Sequence, residues 1–396
     1  MNTAYPKPLI PLVPLLGSNI PANYSHPSIP SVLGIKFACM TISGRYAIAL
    51  ALEHIGLKAD DIVLIPAYHC EAMVAPVKWI GAKPIFYSIN PDTSINLDDI
   101  KKKINANVKV IIVTHYFGFL QDLTAIRILC DLNDIKLIED CAHALFGVHN
   151  NQQSVGKIGD YSFASTMKFL PLYEGGILCS ETIDLSDITF TAPSLAFQIK
   201  SLINTLERSL AYNRLGIPGK LLKGVLALKN SLWTTLKKIK QSSYNSSATP
   251  SSSDGGYGLD EEWVHKTVSL PSRLIIKLTN LNNSAHRRRE NYQKIHAALA
   301  TLPNSRPLFD VLPQYIAPWV YPLYVNDPDQ GISKLRLQGV PIWRFGEFLD
   351  AEVNEKICPI SVEYSKHIFQ FPCHQSLTDQ DIDWMINRIT EFLTEA

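Results

Sequence analysis

Four short runs rich in Val and Ile, separated by helical stretches, constrain this chain more than any other feature. The runs cover residues 62–65, 85–89, 108–113 and 136–138. Continuously apolar strands alternating with helices predict a parallel sheet covered on both faces, hence a three-layer α/β/α domain. In such a sheet, ligands bind beyond the carboxyl ends of the strands. The sequence puts polar residues there: Tyr68 and His69 after the first run, His115 and Tyr116 after the third, Glu139 and Asp140 after the fourth.

A chain of 396 residues suits two domains. Residues 1–33 hold seven prolines and few charges, and read as an extended arm lying on another surface or as a loosely ordered tail. Residues 34–257 read as the large α/β domain, with a basic helical insertion at about 190–257. Residues 258–396 read as a smaller C-terminal α+β domain. It should hold a long helix over 271–299, strands at 319–325 and 368–371, and a closing helix over 379–393.

A formal net charge of +1 argues against nucleic acid as a partner. Seven cysteines without a CxxC pair or metal-ligand spacing predict reduced thiols, and the histidines form no metal constellation in the sequence. No apolar run reaches the roughly 20 residues that span a bilayer. Pro6, Pro8, Pro11 and Pro14 break the apolar N-terminus, which lacks a basic start, so a signal peptide is not expected. The expected setting is cytoplasmic. Residues 200–240 carry a formal charge of +8 with interleaved leucines. An insertion with a solvated basic face explains them; peripheral membrane contact is the alternative.

Lys168 stands in apolar company ahead of Gly175-Gly176, in the segment FASTMKFLPLYEGG. Burial lowers a lysine's pKa, and a neutral amine is what Schiff-base chemistry needs. A surface lysine on a loop is the plain alternative. Asp140 closes the fourth strand, where a carboxylate can pair with a protonated pyridine nitrogen and keep that ring an electron sink. Helix capping is the other use of an acid there. His143 is placed to reach the ring's phenolic oxygen. Ser43-Gly44-Arg45 opens a helix, and such a turn offers N–H groups and a positive dipole end to a phosphate. Ser162 and Ser165 are candidate hydroxyl donors to the same phosphate.

Together these segments resemble the DegT/DnrJ/EryC1/StrS aminotransferases, a branch of the fold-type I enzymes that use pyridoxal 5'-phosphate (PLP). The matching stretches are SGRYAIALAL, IPAYHCEAMVAPV, GAKPIFYSI, THYFGFLQD, IEDCAHALFG, FASTMKFLPLYEGG, RRRENY and FPCHQSL, in the family's order. The resemblance implies a fold-type I large domain with a mostly parallel sheet, and PLP held covalently by Lys168. It makes Asp140 the pyridine partner and puts His143 at the ring oxygen. Gly44 and Arg45 become backbone phosphate donors, and one of Tyr68, His69 and Cys70 lies against the ring face. Ser272 and Arg273 fall near a stretch that, in relatives, reaches the partner subunit's cofactor. A homodimer with its pocket at the interface is implied.

The implied reaction moves an amino group from a small donor, glutamate, to a keto-sugar, nucleotide-linked in relatives, for polysaccharide or secondary-metabolite synthesis. Another PLP reaction (lyase or dehydratase) and a non-catalytic scaffold are the alternatives. One departure bears on the acceptor: relatives commonly place a serine five residues before the lysine, and Phe163 stands there. Arg287, Arg288 and Arg289 read as a helix face or a phosphate contact. His374 and Gln375 border the pocket or end a strand.

Overall fold

A computed structural model describes residues 5–17, 27–150, 152–216, 219, 256 and 258–395. The large domain holds β1 (Phe37–Thr41), α1 (Gly44–Ile55), β2 (Ile62–Pro66), α2 (Glu71–Trp79), β3 (Lys83–Tyr87) and α3 (Leu97–Lys103). It continues through β4 (Val108–Thr114), α4 (Thr124–Asn133), β5 (Lys136–Asp140), β6 (Tyr161–Ala164), β7 (Gly176–Ser180) and α5 (Leu195–Ala211). The strands form one sheet in the order β1-β7-β6-β5-β4-β2-β3. β2 through β6 pair in parallel, and β7 runs antiparallel to both β6 and β1.

Side chains alternate across a strand, and here both faces are buried. Leu64, Ile111, Val113 and Leu137 pack with Ile100 and Ile126 on the α3/α4 side. Val63, Ile65, Val110, Ile112 and Ile138 join the core that contains α1 and α2. That two-sided burial is why the four runs read as continuously apolar. The flanking strands β1, β6 and β7 have mixed composition, and the sequence analysis did not anticipate them.

The second unit begins with α6 (Leu270–Leu278) and α7 (Leu281–Leu299). The single helix expected over 271–299 is therefore two. Thr279 turns extended, and Asn280 caps the second helix by accepting the Asn283 N–H at 3.0 Å. Next come β8 (Ser305–Pro307), β9 (Val320–Val325), α8 (Pro328–Leu337), α9 (Pro359–His367), β10 (Ile368–Pro372) and α10 (Asp379–Glu395). Three strands form the small sheet, in the order β10-β9-β8, where two were expected. Among the described residues no helix is long and apolar enough to cross a membrane.

The arm, over residues 5–17, lies on its own chain. Leu9 N–H donates to the Gly339 carbonyl, Leu15 N–H to Ser376 Oγ and Leu16 N–H to Ser209 Oγ. Ile10 and Leu15 are buried. The basic insertion is described through α5 and a short turn after it. Its remaining leucines and lysines, and the Ser-rich stretch, lie outside the described residues.

Candidate active site

Asp140 ends β5 because the sheet's carboxyl edge is where a strand stops and a polar side chain can face a cleft. Its Oδ1 accepts the Ala142 N–H at 2.8 Å, and its Oδ2 accepts the Thr114 hydroxyl at 3.1 Å. Burial pushes its carboxyl pKa up, against those bonds and the nearby Lys168 charge. Lys168 ends a short 3-10 turn after β6. Burial lowers its pKa, against Cys70 and Asp140, which favour its charged form. Its Nζ lies 4.4 Å from the Trp319 ring centroid. An amine held toward neutrality beside a single open carboxylate suits a nucleophile.

His143 stacks on Trp319, with centroids 4.1 Å apart, and lies edge-on to Phe345. Its Nδ1 accepts the Phe117 N–H at 3.5 Å, which leaves the ring proton on Nε2. Burial holds its pKa well below the usual histidine range, so it is a neutral donor. Gly118 makes this packing feasible. It adopts φ +102°, and a Cβ there would stand 2.8 Å from Pro318 Cα.

The structure separates the three candidates after β2. Tyr68 is fully buried and stacks on Tyr116. His69 is locked between the Ala67 carbonyl at Nδ1 and the Asp350 N–H at Nε2, and stacks on Phe86. Neither lines the cleft. Cys70 does, in a cavity of about 320 Å³ shared with Lys168 and Trp319. Of the three candidates, Cys70 is the one that lines this cavity.

The α1 N-terminus sits against the lysine loop. Gly44 faces Phe163 and Ser165, whose Cβ is 3.8 Å from where a Gly44 Cβ would stand. Ser43 makes no capping bond, and its Oγ is buried without a partner among the described residues, as is Thr166 Oγ1. Gly175-Gly176 lets these segments meet. A Cβ on Gly175 would lie 2.3 Å from Thr166 Oγ1, and one on Gly176 2.3 Å from the Ser43 carbonyl carbon. Two orphaned hydroxyls at a helix N-terminus form a cradle for a phosphate group. The Arg45 guanidinium turns away and donates to the Gly258 carbonyl at 2.6 Å. Ser162 is also displaced. It sits on the other sheet face, with its Oγ 2.9 Å from where a Gly156 Cβ would stand. Thr166 Oγ1 instead lies beside Gly175, close to the lysine loop.

The residue that fixes the lysine loop lies within the arginine run, in a role its sequence did not suggest. Arg288 on α7 is fully buried. It donates to the carbonyls of Lys168 (3.1 Å), Phe169 (3.2 Å), Trp319 (3.0 Å) and Pro318 (3.4 Å). Burial lowers its pKa to about 10. Gln375 Nε2 donates to the same Phe169 carbonyl at 2.7 Å. The arginine run is thus neither a solvated face nor a phosphate site at this position. Arg287 pairs with Asp379, and Arg289 donates to the Pro313 and Ile316 carbonyls. Ser272 is buried beside Ser201, and Arg273 donates to Thr267 Oγ1.

The described residues also bring His115, Glu139 and His149 together. Glu139 Oε1 accepts the Ile158 and Gly159 N–H groups, and Oε2 accepts those of Gly156 and His115 Nε2. A carboxylate so saturated organises the loop after β5.

The model of the DegT/DnrJ/EryC1/StrS aminotransferase family matches residues 28–213. GDP-perosamine synthase of Vibrio cholerae is 33% identical over 153 residues, which cover 38% of this chain and 41% of that protein. The chain thus spans about two-fifths of the length of that curated relative. A DegT DnrJ EryC1 StrS aminotransferase from Brucella abortus superposes with a TM-score of 0.61 at 18% identity, over 91% of this chain and 87% of that one. A Streptococcus pneumoniae protein solved in its PLP form gives 0.60 at 17% identity, over 90% and 87%. The fold is that of the fold-type I PLP enzymes. Residues 28–213, just under half of the chain, are similar to the DegT/DnrJ/EryC1/StrS aminotransferase family.

Proposed function

We propose that the protein is a PLP-dependent aminotransferase that passes an amino group from glutamate to a keto-sugar. The observation that carries this is a cavity-lining lysine held toward neutrality by burial, within electrostatic reach of a buried carboxylate and next to two orphaned hydroxyls at the α1 N-terminus. The donor set fits the cofactor. Ser43, Thr166, Ser165 and the first turn of α1, including Gly44 and Arg45 backbone groups, would hold its phosphate. Asp140 would accept from its ring nitrogen, His143 Nε2 would donate to its ring oxygen, and Cys70 would lie against its face.

When bound, PLP supplies an aldehyde that amines attack and a ring that withdraws electrons. Lys168 Nζ would hold that group and would carry the proton to and from the substrate's α-carbon. Asp140 stabilises positive charge at the ring nitrogen. Trp319 and Phe345 wall the site from water. The relative named GDP-perosamine synthase makes, by its name, a nucleotide-linked amino sugar; a sugar of that class is the proposed acceptor.

A homodimer with its pocket at the interface belongs to the same reading, and a reducing, cytoplasmic setting is supported by seven unpaired cysteines. Peripheral membrane contact through residues 200–240 is supported by the exposed Leu202 alone among its described leucines.

Adding PLP to the purified protein should create a visible absorbance band that Lys168→Ala abolishes, and glutamate should bleach it. A protein that gives no band would sink the enzyme reading. A band that glutamate leaves unchanged while another amino acid is eliminated would favour lyase chemistry.

A further inference from the structure

Lys168 also opens into a larger cavity, of about 520 Å³, on the side away from Cys70. One wall is the arm, contributed by residues 11–15 and Lys7, and the opposite wall is α5 with Asn204, Glu207, Arg208 and Tyr212. The arm lies outside the stretch matched by the family model, which begins at residue 28. The lysine within the matched stretch therefore faces a wall that lies outside that stretch.

That wall is built. His374 Nε2 meets the Pro11 carbonyl at 3.0 Å, and Tyr212 OH donates to the Pro8 carbonyl at 3.1 Å. Ser376 Oγ accepts from Leu15 N–H at 2.9 Å and donates to the Leu15 carbonyl at 3.0 Å. Leu9 fills the space beside Gly339, where a Cβ would stand 2.7 Å from Leu9 Cγ. These contacts fix Lys7 over the Tyr212 ring, 4.5 Å from its centroid, at the mouth shared with Arg208. Lys7, Arg208 and Lys168 face one carboxylate, Glu207, in this cavity. The inner part is apolar and aromatic, from Leu12, Val13 and Trp343.

We propose that the arm is the specificity element for the acceptor: Lys7 and Arg208 bind the phosphate of a phosphate-bearing sugar while its keto carbon faces Lys168. This rests on the aminotransferase reading for the identity of the acceptor, but the anion site itself does not. The cavity's size falls within the range typical of small-molecule sites, and paired cations at a partly screened mouth suit a phosphate ester.

The test uses the full-length, PLP-treated protein and three probes, GDP, UDP and inorganic pyrophosphate, with binding followed by calorimetry. Lys7 is exposed, so Lys7→Ala should fold. It should weaken binding of the probes by about three- to tenfold, the scale of one partly screened charge-assisted contact. Ser376→Ala, which unseats the arm without removing a charge, should weaken them in the same direction. In both variants, bleaching by glutamate should change less than probe binding. Wild-type protein that binds none of the probes, or Lys7→Ala and Ser376→Ala proteins that bind them unchanged, would overturn the proposal. If no PLP band forms but Lys7-dependent binding of GDP persists, the aminotransferase reading fails and the anion site stands.

Discussion

Glu139 and Asp140 are adjacent, both buried, and project to opposite faces of the same strand. Glu139 has a donor at each lone pair: three loop N–H groups and His115. Its carboxyl pKa falls well below the usual range, because these bonds outweigh the cost of burial. Asp140 has two donors and faces a lysine, and its pKa is raised because burial outweighs the bonds it has. Depth alone therefore does not make a buried acid functional. What separates the two is how far the protein has already satisfied them. A saturated carboxylate organises a loop; an unsaturated one is available to a cationic ligand.

The strongest way to break this contrast is to neutralise each acid in turn. Asp140→Asn should leave the fold intact, since its one oxygen can still accept the Ala142 N–H while the Thr114 hydroxyl rotates to accept from the new amide NH2. Transamination should drop on the order of a thousandfold, the scale for losing a preorganised charge at the reacting centre. A glutamate-driven single-turnover measurement checks this. Glu139→Gln should do the reverse. It presents an amide to N–H donors and should cost on the order of 3 kcal/mol of stability, seen in a denaturant midpoint. If Glu139→Gln is as stable as wild type and Asp140→Asn is unfolded, the division of labour is wrong.

Acid sharpens the same comparison. Glu139 and His115 both have folded pKa values below their ordinary ones, as do His69 (about 4) and His374 (about 3). Groups depressed by folding stabilise the protein above their unfolded pKa, and that stability is lost as pH falls through the folded value. For the histidines the loss begins below about 6.5 and continues toward about 3–4. Asp140, with its raised pKa, works in the opposite sense: its contribution is present at low pH and is lost as pH rises through its folded value. The unfolding midpoint should thus be flat from pH 7 to 8 and fall steadily below about pH 6.5. A midpoint that rose on acidification would contradict the neutral, buried state assigned to these histidines.

The apolar runs revealed the central strands because burial on two faces writes itself into composition. The Asp140–Lys168 pair was also legible, since an acid at a strand end and a lysine among apolar residues are both local anomalies. What the sequence hid depends on partners distant along the chain. Arg288 looked like part of a charged helix face, yet it binds carbonyls 120 and 31 residues away. The break at Thr279 and Asn280 hid because the apolar periodicity carries on across it. Tyr68 and His69 seemed as eligible as Cys70. Only the packing of Tyr116 and Phe86 shows that two of the three are already engaged.

Arg288 tests whether satisfying a buried group can also position a distant one. Its four carbonyl contacts hold the Lys168 and Trp319 backbones together. Arg288→Lys keeps the charge but has a single ammonium where the guanidinium forks. It should destabilise the fold by about 2 kcal/mol and shift the pH at which the Lys168-dependent absorbance band titrates.

The smallest expected effect separates two hydroxyls the sequence could not rank. Ser162→Ala removes a buried oxygen on the Glu139 face and should leave PLP affinity within about a factor of two, because that oxygen lies on the sheet face away from the α1 N-terminus. Thr166→Val keeps the shape of the side chain but removes an orphaned hydroxyl beside the α1 N-terminus. It should weaken PLP binding by about tenfold or more, the scale of one hydrogen bond to a charged group. Titrating PLP into both variants and reading the visible band measures each constant. Equal losses in the two would mean that the phosphate is not held at the α1 N-terminus, and the assignment of Ser43 and Thr166 would fall with it.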